Sequence, residues 1–163
     1  MSRKSILKIL ATLFAVLGAL GSAVAQMPNP YGLAISLESA KKAAAPALAE
    51  AAKNNWRVAV AIVGPAGTLV YYEKMDNTQL GSAEVAIDKA RTAALFKRPT
   101  KAFQDVVAAG GDGLRVLTLK GVVAVEGGIP LVADGKIVGA IGVSGATSAQ
   151  DAQCAKTGAD TVK

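Results

Sequence analysis

Two tight turns between short β-branched runs limit most strongly how this chain folds. Arg57 to Val63 carries Val58, Val60, Ile62 and Val63, and Thr68 to Lys74 follows after only Gly64-Pro65-Ala66-Gly67. Strands joined by so short a turn lie antiparallel, because a parallel crossover needs roughly a dozen residues or more. Asp134-Gly135 imposes the same connection between Ile129-Pro130-Leu131-Val132 and the run from Lys136 to Val143. Val122 to Glu126 reads as one more strand, set off by Gly127-Gly128. The expected sheet is therefore five-stranded and mostly antiparallel.

Segments of helical period flank these strands. Ser36 caps a helix from Leu37 to about Asn55, with Leu37, Ala40, Ala44, Leu48, Ala51 and Ala52 on one face. Pro46 lies inside it and is expected to kink or split it. Ser82 caps a second helix with Ala83, Ala86, Ile87, Ala90 and Ala94 as its apolar face and Asp88 and Arg91 as an i,i+3 pair. Lys97 and Arg98 suit its C-terminal end, and Pro99 stops it. Thr100 to Ala109 reads as a short helix ended by Gly110-Gly111, and Asp112 to Gly121 fits no element well. Ser148 and Asp151 form a capping box for a last helix, with Ala152, Ala155, Ala159 and Val162 facing inward and Cys154 on the opposite side. One-faced helices over an antiparallel sheet give an α+β sandwich. The last strand has unlike faces: Ile137, Gly139, Ile141 and Val143 on one, Val138, Ala140, Gly142 and Ser144 on the other. The small-residue face lets a helix, a second subunit or a flat ligand come close.

Composition excludes several chemistries. Apolar residues make up 52% of the 163 and charged residues 18%, which is core-forming rather than disordered. No histidine is present, so the commonest general base and the usual zinc and haem ligand are missing. A single cysteine rules out an internal disulfide and Cys-cluster metal sites. Arg3, Lys4 and Lys8, the apolar run Ile9 to Leu20 and Ala23-Val24-Ala25 have the layout of a signal peptide cleaved after Ala25. The expected organisation is 1–25 signal peptide, 26–35 irregular arm and 36–163 one domain. That destination is the periplasm or the outside, with no stable membrane anchor after cleavage. Cleavage removes three cations and no acid from a net charge of +6. No basic stripe interleaved with aromatics remains, so nucleic acid is not an expected partner. Cys154 reads as a free helix thiol or, more sharply, as an intersubunit disulfide.

Several segments in order resemble the GlcG/HbpS-like family of haem-binding and haem-degrading proteins. They are Ala61-Ile62-Val63 through Gly67, Tyr72-Glu73-Lys74-Met75-Asp76, Ala86-Ile87-Asp88-Lys89-Ala90-Arg91-Thr92-Ala93, Arg98-Pro99-Thr100, Gly127-Gly128-Ile129-Pro130-Leu131, Asp134-Gly135 and Gly139-Ala140-Ile141-Gly142-Val143-Ser144-Gly145. The likeness runs from about Ser36 to Lys163. It implies a profilin-like α-β-α sandwich, a homo-oligomer and binding of haem or a related tetrapyrrole, in sensing, storage or degradation.

Haem binding asks for an apolar slot, cations for the propionates and usually an axial ligand. The small face of the last strand with Phe96 and Phe103 is the candidate slot. Lys89, Arg91, Lys97, Arg98 and Lys101 are candidate propionate partners, although singly each also reads as part of a solvated helix face. Without histidine, the axial choices are Met75, Tyr71, Tyr72, Cys154, a lysine or Thr100. The resemblance implies a threonine contact to iron in the family's Pro-Thr segment, which Pro99-Thr100 matches; alone, Thr100 reads as a helix cap. Met75 alternatively closes the pocket. Two other functions fit the residues. One is an enzyme or binder for a small metabolite, using Asp88, Lys89, Arg91 and Thr92. The other is a ligand-free structural module with Ala-rich packing surfaces.

Overall fold

The structure, a computed structural model, describes residues 27–163. The expected signal segment and its cleavage point lie outside the described residues. In chain order the elements are α1 (Leu37–Lys53), β1 (Ala59–Val63), β2 (Leu69–Lys74), α2 (Ser82–Phe96), α3 (Thr100–Ala108), a 3-10 segment (Gly111–Thr118), β3 (Gly128–Ala133), β4 (Lys136–Ser144) and α4 (Ser148–Ala159). The sheet has four strands among the described residues, in the order β2-β1-β4-β3, each pair antiparallel.

The expected strand over Val122 to Glu126 is irregular chain instead. Two of its N–H groups go to side chains, Val123 N–H to the Thr92 hydroxyl at 2.9 Å and Glu126 N–H to Gln104 Oε1 at 2.9 Å, and Val122 N–H goes back to Leu119 O. Those donors are spent, so no ladder forms. The arm partly fills the vacant place beside β4. Gly32 N–H donates to Ile137 O, Ile137 N–H to Pro30 O and Ile35 N–H to Val138 O, all within 2.9 Å, and Tyr31 bridges Ile137 in parallel.

Two cores sandwich the sheet. Val58, Val60, Ile62, Leu131, Ile141 and Val143 pack beneath α1 and α4. Each is fully buried, worth about 1.5–3 kcal/mol apiece. Ala59, Ala61, Val63 and Ala140 meet α2 through Ala86, Ala90, Ala93 and Ala94. The small face of β4 thus takes a helix. The alternation breaks at a bulge between Leu131 and Val132, and Val138 packs with the first core rather than on the small face.

Three local expectations are corrected. Helix α1 runs unbroken through Pro46. Ser82 lies inside α2, whose N-cap is Gly81 with no side-chain cap bond. The capping box of α4 is Thr147 with Gln150, one residue earlier than expected, because Asp151 turns inward to Lys89. The buried face of α4 is accordingly Asp151, Cys154, Ala155 and Gly158. Cys154 therefore points inward, not outward. Burial first, then the carboxylates of Asp151 and Glu50, push its thiol up to about 11. We expect no reaction with a thiol-specific reagent in the folded protein and stoichiometric reaction after unfolding. A disulfide-linked dimer on a nonreducing gel contradicts this.

Candidate functional site

The Pro99-Thr100 motif and the candidate slot residues Phe96 and Phe103 lie where α2 turns into α3. Helix α2 ends at Lys97, whose backbone is left-handed with φ 51°. Pro99, with no N–H to satisfy, precedes the first residue of α3, Thr100. Thr100 turns inward, and its hydroxyl oxygen accepts from Gly128 N–H at 2.9 Å. Phe96 and Phe103 meet edge to face with ring centres 5.5 Å apart, and the Arg98 guanidinium lies 5.3 Å from the Phe103 centre.

Beneath this corner, Lys89 Nζ lies 2.8 Å from Asp151 Oδ2 and donates to Val143 O at 3.0 Å. The pair is sealed, with side-chain exposures of 1% and 3%. Asp151 Oδ1 also accepts from Ala146 N–H at 3.0 Å. Burial raises the Asp151 carboxyl above its usual range, against the lowering pull of Lys89 and of the Ala146 and Gly145 N–H groups. Gly127 and Gly128 make room for all of this. A Cβ on Gly127 would lie 2.8 Å from Lys89 Nζ, and one on Gly128 would overlap Lys89 O and sit 2.7 Å from Thr100 Cγ2.

Lys89, Phe96, Thr100 and Phe103 are thus brought together, but not as an open haem slot. The small face of β4 is filled by α2. Thr100 has no exposed surface and Phe103 only 5%, so an iron does not reach the Thr100 oxygen in this conformation. Lys89 is spent in its ion pair and does not face a propionate. Met75 packs against the core under α1 and α4, in another layer. Arg91 lies on the open side of α2, 3.3 Å from Asp88 Oδ1, with Nε donating to Gly67 O at 3.3 Å. Lys101 pairs with Asp105 at 2.5 Å. Tyr71 donates to the Glu73 carboxylate, and Cys154 is fully buried. The polar set considered for metabolite chemistry is divided as well: Lys89 and Thr92 are buried and bonded, while Asp88 and Arg91 form an exposed pair. Among the described residues no three His, Cys, Asp or Glu side chains group to hold a metal ion.

Sequence reasoning missed an open groove beside this corner. It measures about 340 Å³ and is walled by Tyr31, Pro65, Ala66 and Leu95. The Tyr31 hydroxyl donates to Ala94 O and Leu95 O at 3.0 and 3.1 Å, and Lys97 Nζ stands 4.4 Å from its ring centre. Burial raises the Tyr31 hydroxyl pKa. The only signal in the sequence is Leu95, an apolar residue four after Arg91 on the solvated side of α2. A second cavity of about 380 Å³ lies at the same end of the sheet but on its α1 side, between the arm, the start of α1, the β3–β4 hairpin and Thr161–Lys163.

The family model for haem-degrading HbpS-like proteins matches residues 35–160. Protein GlcG of Escherichia coli is 42% identical over 95 residues, covering 58% of this chain and 69% of GlcG. The crystal structure of a double mutant of Streptomyces reticuli HbpS superposes with a TM-score of 0.74 at 30% identity, covering 90% of this chain and 95% of that one. A PduOC–haem complex superposes with a TM-score of 0.72 at 31% identity, covering 80% and 96%. A match of the family model along residues 35–160, almost the whole described domain, makes this chain a member of the HbpS-like family.

Proposed function

We propose that this protein binds haem, is exported to the periplasm or beyond, and works as a homo-oligomer in haem sensing, storage or degradation. One observation carries the reading beyond family membership. Around the end of α2, Lys97 stands over the Tyr31 ring, Arg98 lies against Phe103, and Arg91 sits beside Gly67 next to the exposed Leu95. A flat apolar ring bearing two carboxylates matches that surface in shape and charge. Bound haem would bring the iron chemistry; the chain's residues hold the ring and neutralise its propionates. Lys89 and Thr100 support this surface from inside by fixing Gly128 and the end of β4. Exposed Leu114, Leu117 and Leu119 on and beside the 3-10 segment support assembly with further copies. The cationic, apolar leader Arg3 to Ala25 supports export, and no helix among the described residues is long and apolar enough to cross a membrane.

Haemin titration of the purified protein, followed by absorbance with light scattering alongside, tests this. The expected result is a Soret shift saturating at fixed stoichiometry in an oligomer. Thr100→Ala is expected to keep that spectrum while losing about 1–3 kcal/mol of stability, since Gly128 N–H is left buried and unpaired. A titration that never saturates overturns haem binding, and a monomer overturns the assembly.

A further inference from the structure

We infer that the cavity between the arm, the start of α1 and the end of the chain beyond α4 binds a small organic carboxylate with an apolar body. This does not rest on the haem reading. The cavity lies on the α1 side of the sheet, whereas α2 covers the other side.

The lining falls into two parts. Ile35, Val138 and Val162 make an apolar floor, widened by Leu33 and Ala133. Ile35 is buried, and Val138 and Val162 pack against the core beneath α1 and α4, so the floor belongs to the folded domain. Ser36, Ser39, Lys42, Thr161 and Lys163 form the rim, and no acid stands among the lining residues. Such a rim takes a negatively charged group and such a floor an apolar one. At about 380 Å³ the cavity lies in the lower part of the range of small-molecule sites, about 300–1,000 Å³. That suits one carboxylate on a short chain or a single ring.

The polar groups of the rim point the same way. Ser36 Oγ accepts from Ser39 N–H at 3.1 Å and donates to Ser39 Oγ at 3.0 Å. Ser39 keeps its own hydroxyl proton for an acceptor. Lys42 pairs with Glu38 at 2.7 Å, but the two side chains are 72% and 78% exposed. Exposed pairs of that kind are weak, so a ligand carboxylate draws Lys42 away at little cost. Among the described residues Lys163 makes no salt bridge, and Asp160, three residues back, is taken by Lys156 at 2.7 Å.

The walls are set before a ligand arrives. Gly32 N–H donates to Ile137 O at 2.9 Å and Ile35 N–H to Val138 O at 2.8 Å, which pins the arm to β4. Beyond α4, Thr161 N–H donates to Gly158 O at 3.2 Å and Val162 N–H to Ala159 O at 3.1 Å, which brings Val162 and Lys163 to the cavity. A site held by bonded backbone loses little freedom on binding.

The test is titration of the purified protein with octanoate, followed by calorimetry and by the methyl signals in NMR. Saturable binding is expected, with the largest shifts at Ile35, Val138 and Val162. Butanoate is expected to bind at least about tenfold more weakly, since each methylene fully buried is worth about fourfold. Octylamine, with a cationic head on the same chain, is expected not to saturate. Lys42→Ala with Lys163→Ala is expected to weaken octanoate roughly fivefold or more. Lys41→Ala removes a neighbouring cation that does not line the cavity and is expected to bind like the unaltered protein. Circular dichroism checks the fold of each variant. Octanoate that never saturates, or that shifts other methyls instead, overturns the site. Equal binding of octylamine, or of octanoate by the double variant, overturns the ligand class. If haemin displaces octanoate, the cavity is not a separate site and the inference falls. It falls equally if octanoate binds only once the oligomer is dissociated, since another copy then fills the cavity.

Discussion

Lys89→Met is expected to lower stability by about 3–5 kcal/mol, because it leaves the Asp151 carboxylate buried without its cation. Asp151 keeps the N–H donor of Ala146 but loses the ammonium at 2.8 Å. The carboxyl, already raised by burial in the intact protein, rises further. That fixes the sign of a pH effect. With a folded-state pKa above the unfolded one, the folded variant holds more protons across the window between them, and stability is lost as pH rises through the folded value. The deficit of Lys89→Met is thus expected to be smaller near pH 5 than near pH 8 in urea titrations. Adding Asp151→Asn removes the orphaned charge while keeping an oxygen for Ala146 N–H, and is expected to recover most of the loss. If the single variant is as stable as the parent, or its deficit ignores pH, the ion pair is not what ties α2, β4 and α4 at this end of the sheet.

The architecture was legible wherever a local signal carried its own cause. Gly64–Gly67 and Asp134-Gly135 fixed two hairpins, and the β-branched residues of β1 marked a strand buried on both faces. What failed depended on partners far away in the chain. Val122 to Glu126 has the look of a strand, yet two of its N–H groups are claimed by Thr92 and Gln104, 31 and 22 residues back. The arm looks irregular from its prolines and glycine, yet its carbonyl and N–H groups find β4 more than a hundred residues on. In the sequence, Ala152, Ala155, Ala159 and Val162 look like the inner face of α4, which puts Cys154 outward, and Asp151 looks like a cap; the partner that turns Asp151 inward, Lys89, is 62 residues away. The site shows the same division. The order of the motifs points to the α2–α3 corner, but whether Thr100 faces in or out is decided by Gly128, which approaches only because it lacks a side chain. The groove joins Tyr31, Pro65 and Leu95 from three distant segments, and no local pattern announces it.

Gly142→Ala should be more damaging than any surface change of similar size. Gly142 sits in β4 where α2 crosses it. A Cβ there would overlap the Ala86 carbonyl oxygen, lie 2.5 Å from Ala90 N and 3.0 Å from Ala90 Cβ. Two of these are backbone atoms, so no rotamer change relieves the overlap, and α2 has to lift. Lifting it separates Ala86, Ala90 and Ala93 from Ala59, Ala61 and Ala140, an interface built from side chains too short to follow. Overpacking of this kind costs about 3 kcal/mol, and more when backbone must move. Gly81→Ala is the matched control: its φ is −64° and nothing lies within 4 Å of the added Cβ, so it should be nearly neutral. Urea unfolding of the two variants side by side gives the comparison. The displacement also has a functional reading, because α2 carries Arg91 and, at its end, Lys97. Any Gly142→Ala protein that still folds is expected to bind haemin more weakly, although the substitution touches neither cation. A variant that is as stable as Gly81→Ala would show that the close approach of α2 to β4 is not what sets the height of the helix above the sheet.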